Sequence, residues 1–182
     1  TSFADLPAAP AIDEMAAAQH LSEAIRIKTV TYRAGDPTAG NEGPWLEMRD
    51  WLAQTYPAAH AAMTREVVPG GYTLLYTWEG SNAALDPVLL MAHQDVVPVT
   101  PGTEGDWEGA PFAGEIKNGH IYGRGAIDDK SSLVSIMEAA EGLANSGFKP
   151  QRTILLLFGH DEEVSGSGAE AAVALLKSRN VS

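Results

Sequence analysis

The sequence predicts an α/β fold, a three-layer α/β/α sandwich with a mixed, mostly parallel central sheet. Strands and helices alternate in the second half of the chain, as in βαβ units. Two apolar runs without alternation, Val88–Ala92 and Arg152–Phe158, are typical of strands buried on both faces of a sheet. Apolar residues at helical spacing predict helices over Ser131–Leu143 and Ser165–Arg179.

The first half of the chain adds two helices and a hairpin to this scheme. An amphipathic helix over Ile12–Lys28 has acidic residues in its first turn and basic residues in its last. A second helix, Trp45–Tyr56, is ended by a proline, which cannot continue it. Two strands joined by a Pro-Gly-Gly turn form the predicted hairpin, and a later short strand is turned at an Asn-Gly pair. These strand segments are Met63–Val68, Tyr72–Trp78 and Glu115–Tyr122.

The composition excludes several classes of function. The chain has 182 residues and a net charge of −12, which suits one domain and argues against nucleic acid, because phosphates need clustered Lys and Arg. No apolar stretch reaches transmembrane length, so no membrane partner is expected. The absence of cysteine excludes disulfides and thiolate ligands but leaves the compartment open. The acidic excess suits solubility, or carboxylates that face metal ions.

Polar residues follow the first apolar run directly, as His93-Gln94-Asp95. In an extended chain, residues two apart point to the same side, so His93 and Asp95 can approach one site together. Imidazole is a common zinc ligand, and a nearby carboxylate can fix its tautomer and orientation. The alternative is a histidine at a strand end followed by an aspartate in a turn.

A second cluster, Gly123–Lys130, joins two glycines to two aspartates just before a predicted helix. A dinucleotide-binding loop needs a third glycine at position 128, where this chain has Asp128, which argues against that function. Two interpretations stay open. Asp128 or Asp129 caps the following helix, or one of them binds a metal ion.

A third cluster, Gly159–Glu163, follows the second apolar run and contains three consecutive acidic residues. One interpretation is an acidic start to the last helix, which the helix dipole favours. In a functional interpretation, the neighbouring side chains of Glu162 and Glu163 diverge, so that one binds metal and the other is free to act as a general base.

The three clusters together favour a metal site. They supply imidazole nitrogen and carboxylate oxygen without sulfur, which suits hard and borderline cations. In open α/β sheets such sites lie beyond the carboxyl ends of the strands, where these clusters fall. Two metal ions about 3.5–4 Å apart would need a bridging group, for which a carboxylate is suited.

The sequence resembles the M20 family of metallopeptidases and amidohydrolases. The matching stretches are MAHQDVVPV from Met91, GHIYGRGAIDDK from Gly119 and LLLFGHDEEVSGSGA from Leu155, in the family's order; AIRIKTVTY from Ala24 fits its opening helix. In detail these motifs are most similar to the carboxypeptidase S and N-fatty-acyl-amino-acid hydrolase branch.

The resemblance implies a role for each candidate residue. His93 binds one metal ion, and Asp95 supports it. Asp128 bridges two ions, and the peptide bond after it is cis. Glu163 binds the other ion, and Glu162 is the general base. The ions are implied to be zinc, with cobalt or manganese also suited to these ligands.

The implied activity is hydrolysis of an amide or peptide bond in short peptides or small N-acyl amino acids, through attack of a metal-bound hydroxide. The family completes its site with an acidic ligand and a histidine further along the chain than residue 182. Residues 1–182 are therefore expected to be the N-terminal portion of one catalytic domain, inactive alone, without the lid domain through which the whole protein could oligomerise. The alternative is a non-catalytic M20-like binding domain.

Overall fold

A computed structural model describes residues 9–181 of the chain. Its helices are α1 (Glu14–Arg26), α2 (Gly43–Thr55), α3 (Pro57–Ala62), α4 (Lys130–Asn145) and α5 (Gly168–Ser178). Its strands are β1 (Thr64–Val67), β2 (Leu74–Trp78), β3 (Val88–His93), β4 (Glu115–Lys117), β5 (His120–Tyr122) and β6 (Ile154–Gly159). Among these described helices, none has the length and apolar character needed to span a membrane.

The central sheet has four strands in the order β1-β2-β6-β3. β2 is antiparallel to both of its neighbours, whereas β3 runs parallel to β6. The predicted α/β class and mixed sheet are confirmed. Parallel pairing does not predominate in residues 9–181, however, because the hairpin β1–β2 joins the sheet antiparallel to β6.

Local sequence signals explain several element boundaries. Asp13 caps α1, its carboxylate accepting hydrogen bonds of 3.1 Å from the next helical amides. The strands β4 and β5 form a separate hairpin whose turn is Asn118-Gly119, both with positive φ, as a two-residue hairpin turn requires. Pro57 ends α2 as predicted but also begins the unpredicted helix α3, since proline is well suited to a first helical position.

Helices cover both faces of the sheet and give the three predicted layers. On β6, Leu156 and Phe158 point into a core shared with α1, α2, α3 and α4. Leu155 and Leu157 point to the other face, where α5 packs through Leu176. This alternation explains why β6 is apolar along its whole length.

The prediction that Val88–Ala92 is buried on both faces is wrong for most of this segment. β3 lies at the edge of the sheet, and its residues from Val88 to Met91 are exposed by 38–56%. Only Ala92 and His93, at the end next to the site, are buried. An apolar run shows that both faces of a strand suit burial, but burial also depends on the elements that surround the strand. Within residues 9–181, β3 pairs only with β6.

Candidate metal centre

The parallel pair β3–β6 brings two of the predicted clusters together. His93 is the register partner of Gly159, so the residues that follow both strands emerge at the same edge of the sheet. The amide of Gln94 donates a 2.8 Å hydrogen bond to the carbonyl of Gly159, which extends this pairing past the strand ends.

His93 is held by contacts at both ring nitrogens. Its Nδ1 lies 3.0 Å from the carbonyl oxygen of Asp95 and 3.3 Å from Asp95 Oδ1. Its Nε2 lies 2.9 Å from Asp128 Oδ1. A proton on Nδ1 is therefore accepted by Asp95, and Nε2 is the nitrogen that faces the other candidate ligands.

Asp95 is fully buried and organises the acidic turn after β6. Its two carboxylate oxygens accept hydrogen bonds from the amides of Glu162 (3.2 Å) and Glu163 (3.0 Å). The hydroxyl of Thr31 donates a third, at 3.0 Å. One carboxylate thus fixes both the His93 ring and the backbone that carries the two glutamates.

The loop before α4 brings Asp128 to the same place. The Asp128–Asp129 peptide bond is cis, as the family resemblance implied. Asp129 Oδ2 accepts a hydrogen bond from the amide of His93 at 3.3 Å, and its side chain makes no capping bond to α4. The helix-cap interpretation of this pair is therefore not supported, and the 73% exposed carboxylate of Asp128 faces the site.

Three donor groups converge at this edge of the sheet. One ligand atom each from His93, Asp128 and Glu163 lies within 4.8 Å of the others. Glu162 Oε2 is 3.7 Å from His93 Nε2, and the Glu162 side chain is 64% exposed. A set of imidazole nitrogen and carboxylate oxygen fits a zinc-type divalent cation.

The other polar residues of the clusters have structural contacts instead. Gln94 Nε2 donates to the carbonyls of Tyr72 and Phe158, tying β3 across the sheet. His160 is buried 2.7 Å from the hydroxyl of Thr73, and Asp161 accepts the Gly168 amide at the start of α5. Alternation turns Gln94 away from His93 and Asp95, whereas His160 and Asp161 are directed by the turn at Glu162–Val164 that follows β6.

Two residues near the site were not singled out from the sequence. Thr31 reaches Asp95 because Val30 forms an isolated parallel bridge with Val96, a pairing that no local pattern indicates. Lys130 was assigned only to the end of a cluster, yet it is completely buried beneath the Asp128 loop.

The surroundings shift the pKa values of the site in opposite directions. Burial would lower the pKa of His93, but Asp95 and Asp128 outweigh burial and raise it to about 9. Burial would raise the pKa of Asp95, but hydrogen bonds from His93, the Glu163 amide and Thr31 hold it below its ordinary value. Burial and the nearby charge of Asp128 raise the pKa of Glu163.

The raised pKa of His93 predicts a pH-dependent contribution to the stability of the metal-free chain. The contribution is complete below the ordinary histidine pKa of about 6.5 and is lost as pH rises to about 9. The quantity to compare is the difference between the free energies of unfolding of wild type and of His93→Gln. We expect this difference to fall by up to about 3 kcal/mol as pH rises across this window. Urea denaturation at pH 6 and pH 9.5 measures it.

The difference between the two proteins is needed because burial lowers the pKa of Lys130 to about 7, which makes the stability of both proteins rise with pH. That trend cancels in the comparison. A difference that is constant from pH 6 to pH 9.5 would contradict the assigned contacts of His93.

The fold and the site define an α/β protein with a candidate metal centre at the ends of two parallel strands. Known proteins similar to this chain belong to the same class. The model of peptidase family M20/M25/M40 matches residues 89–182. Matching half of the chain in this way, it shows that the chain belongs to this family.

Curated relatives match the chain over most of its length. Carboxypeptidase S of Saccharomyces cerevisiae is 42% identical over 163 residues, covering 86% of this chain and 28% of that protein. The Mus musculus N-fatty-acyl-amino acid synthase/hydrolase PM20D1 is 38% identical over 171 residues, covering 93% of this chain and 33% of that protein. The chain thus spans about a third of the length of these relatives.

Solved structures share the fold. Human carnosine dipeptidase 1 superposes with a TM-score of 0.65 at 20% identity, over 90% of this chain and 35% of that one. An M20 family metallo-carboxypeptidase from Sulfolobus solfataricus has the same TM-score at 23% identity, over 92% of this chain and 35% of that one.

Proposed function

We propose that this chain forms part of the catalytic centre of a metal-dependent hydrolase that cleaves amide or peptide bonds in small substrates. The observation that carries the proposal is the convergence of His93, Asp128 and Glu163 within 4.8 Å, with the carboxylate of Glu162 beside them. Membership of peptidase family M20/M25/M40 supports it.

His93, Asp128 and Glu163 would hold the metal, which we propose to be two zinc ions with Asp128 shared between them. Zinc, when bound, would lower the pKa of a water molecule and polarise a substrate carbonyl. A catalytic zinc normally takes three protein ligands, and this set with a shared Asp128 gives two to each ion. We therefore propose that residues 1–182 are the N-terminal portion of a catalytic domain and have little activity alone.

Glu162 is the proposed general base. Its carboxylate is exposed and lies beside the imidazole, whereas its backbone amide is fixed by Asp95. Glu162 takes a proton from water as the water oxygen bonds to the substrate carbonyl carbon. It then returns the proton to the leaving nitrogen as the carbon–nitrogen bond breaks. Asp95 keeps the His93 ring and the Glu162 backbone in position throughout.

The proposed substrates are N-acyl amino acids or short peptides. The names of two relatives, carboxypeptidase S and the N-fatty-acyl-amino acid synthase/hydrolase PM20D1, support this substrate class for the present chain.

The test measures zinc content and hydrolysis of N-acyl amino acids and dipeptides by two proteins: the 182-residue chain, and a version extended at its C-terminus through the remaining ligands. We expect the extended protein to bind about two zinc ions and to hydrolyse one of these substrate classes, and the shorter chain to bind zinc weakly. If the extended protein binds zinc without hydrolysis, or binds none, the chain belongs to a non-catalytic binding domain.

A further inference from the structure

Lys130 is a fully buried basic residue in the middle of the fold. It is the first residue of α4 and follows the Asp128–Asp129 pair directly. Its Nζ donates hydrogen bonds to the carbonyl oxygens of Ala24 (2.8 Å) and Ile27 (2.5 Å). Lysine is almost never fully buried without partners, so a specific role is indicated for this side chain.

The two carbonyls lie at the C-terminal end of α1, and each also accepts a backbone hydrogen bond, that of Ala24 from the amide of Ile27 (3.3 Å) and that of Ile27 from the amide of Thr29 (3.0 Å). A carbonyl oxygen can accept two hydrogen bonds, so the lysine adds a second bond to each, and the helix dipole favours a basic group at this end of the helix. Both protonation states of the lysine amino group have the two N–H donors that these bonds require. Lys130 therefore links the end of α1 to the start of α4 regardless of its charge.

The stem of Lys130 supports the loop that carries Asp128. The amide of Lys130 donates to the carbonyl of Gly125 at 3.1 Å. Gly125 has φ +84°, and a Cβ there would lie 2.7 Å from Val96 Cγ1 and 3.3 Å from Lys130 Cδ. Gly125 thus packs against the lysine stem, with no space for a side chain at this position.

We propose that Lys130 is a positioning residue, which anchors the loop of residues 123–129 to α1 so that the Asp128 carboxylate meets His93 and Glu163. This inference rests on the proposed function of those three residues as metal ligands. It gives the site two buried supports. Asp95 contacts His93 and the amides of the glutamates, and Lys130 ties the loop that carries Asp128 to the end of α1.

Amide hydrogen exchange of the metal-free chain tests the anchoring directly. In Lys130→Met, which keeps the stem but loses both hydrogen bonds, we expect exchange in residues 123–129 to rise at least tenfold. Exchange in β2 and β6 should stay at the wild-type rate. The matched control is Lys149→Met, at an exposed position, which should leave the loop unchanged.

Metal affinity gives the second readout, measured by chelator competition with Zn²⁺ on the C-terminally extended protein. We expect Lys130→Met to weaken binding about 10–100-fold, as loss of a supporting contact does at other metal sites. Co²⁺ in place of Zn²⁺ should show an altered visible spectrum. Gly125→Ala, which disturbs the same contact from the loop side, should reproduce both effects and replaces Lys130→Met if that variant fails to fold.

Unchanged exchange in residues 123–129, or an equal rise in the loop and in β2 and β6, would overturn the proposal and leave Lys130 a general stabiliser of the fold. Zinc binding by the wild-type extended protein distinguishes failure of the proposed function from failure of the anchoring role of Lys130. If the wild-type extended protein binds no zinc, the proposed function fails, while the exchange result still decides whether Lys130 anchors the loop.

Discussion

Replacing Glu162 with glutamine should lower kcat of the C-terminally extended protein by about 10²–10⁴-fold, the usual contribution of a general base. Glutamine keeps the size of the side chain but cannot accept a proton from water. Zinc content should stay at the wild-type level, because the proposed ligands are His93, Asp128 and Glu163. Steady-state kinetics and metal analysis on the same preparation measure both quantities.

The matched control for this variant is Glu170→Gln, an exposed glutamate of α5, which should keep wild-type kcat. A Glu162→Gln protein that keeps more than about a tenth of wild-type kcat would exclude Glu162 as the base. A protein that loses its zinc instead would identify Glu162 as a ligand, and the roles of the two neighbouring glutamates would then be exchanged.

Replacing Asp128 with asparagine should weaken zinc binding by more than about 100-fold, beyond the effect of losing a supporting contact. The amide has no charge with which to bridge two cations. The thermal midpoint of the metal-free protein should change little, because the Asp128 side chain is 73% exposed. Chelator competition and a thermal scan with and without zinc measure these two effects.

Asp106→Asn is the control for this variant, since it makes the same chemical change in an exposed 3₁₀ turn. Zinc affinity within about threefold of wild type in Asp128→Asn would show that this carboxylate is not a shared ligand. A large fall in the thermal midpoint without zinc would show that Asp128 supports the fold itself.

The sequence predicted the location of the site because the site lies where two apolar strands end. Each strand is recognisable from a short run of residues, and its polar successors must then emerge at the same edge of the sheet. His93 and the acidic residues after the second strand were therefore expected together before any distance was known. The choice of Asp128 and Glu163 as partners of His93 in a metal site followed from the family resemblance, and the structure places one ligand atom of each of the three residues within 4.8 Å of the others. The cis bond after Asp128 followed only from the family resemblance.

Long-range contacts could not be predicted from the sequence. Thr31 reaches Asp95 from 64 residues away, and Lys130 reaches Ile27 from 103 residues away, so no local pattern reports either contact. The directions taken by His160 and Asp161 were also hidden, because the chain leaves its extended conformation after β6 and turns at Glu162–Val164. The prediction of a buried strand was wrong at β3, because the topology of the sheet, which a short run of residues does not report, places β3 at the edge.

The exposed edge at β3 has a consequence for handling the 182-residue chain in solution. Within residues 9–181, one side of β3 has backbone amides and carbonyls without a partner strand, flanked by Leu89, Leu90 and Met91 on the two faces. Such an edge is a template for pairing with another strand, including that of a second copy. The purified chain should therefore self-associate as its concentration rises. Met91→Lys should suppress this self-association, because a charged side chain makes edge-to-edge pairing unfavourable.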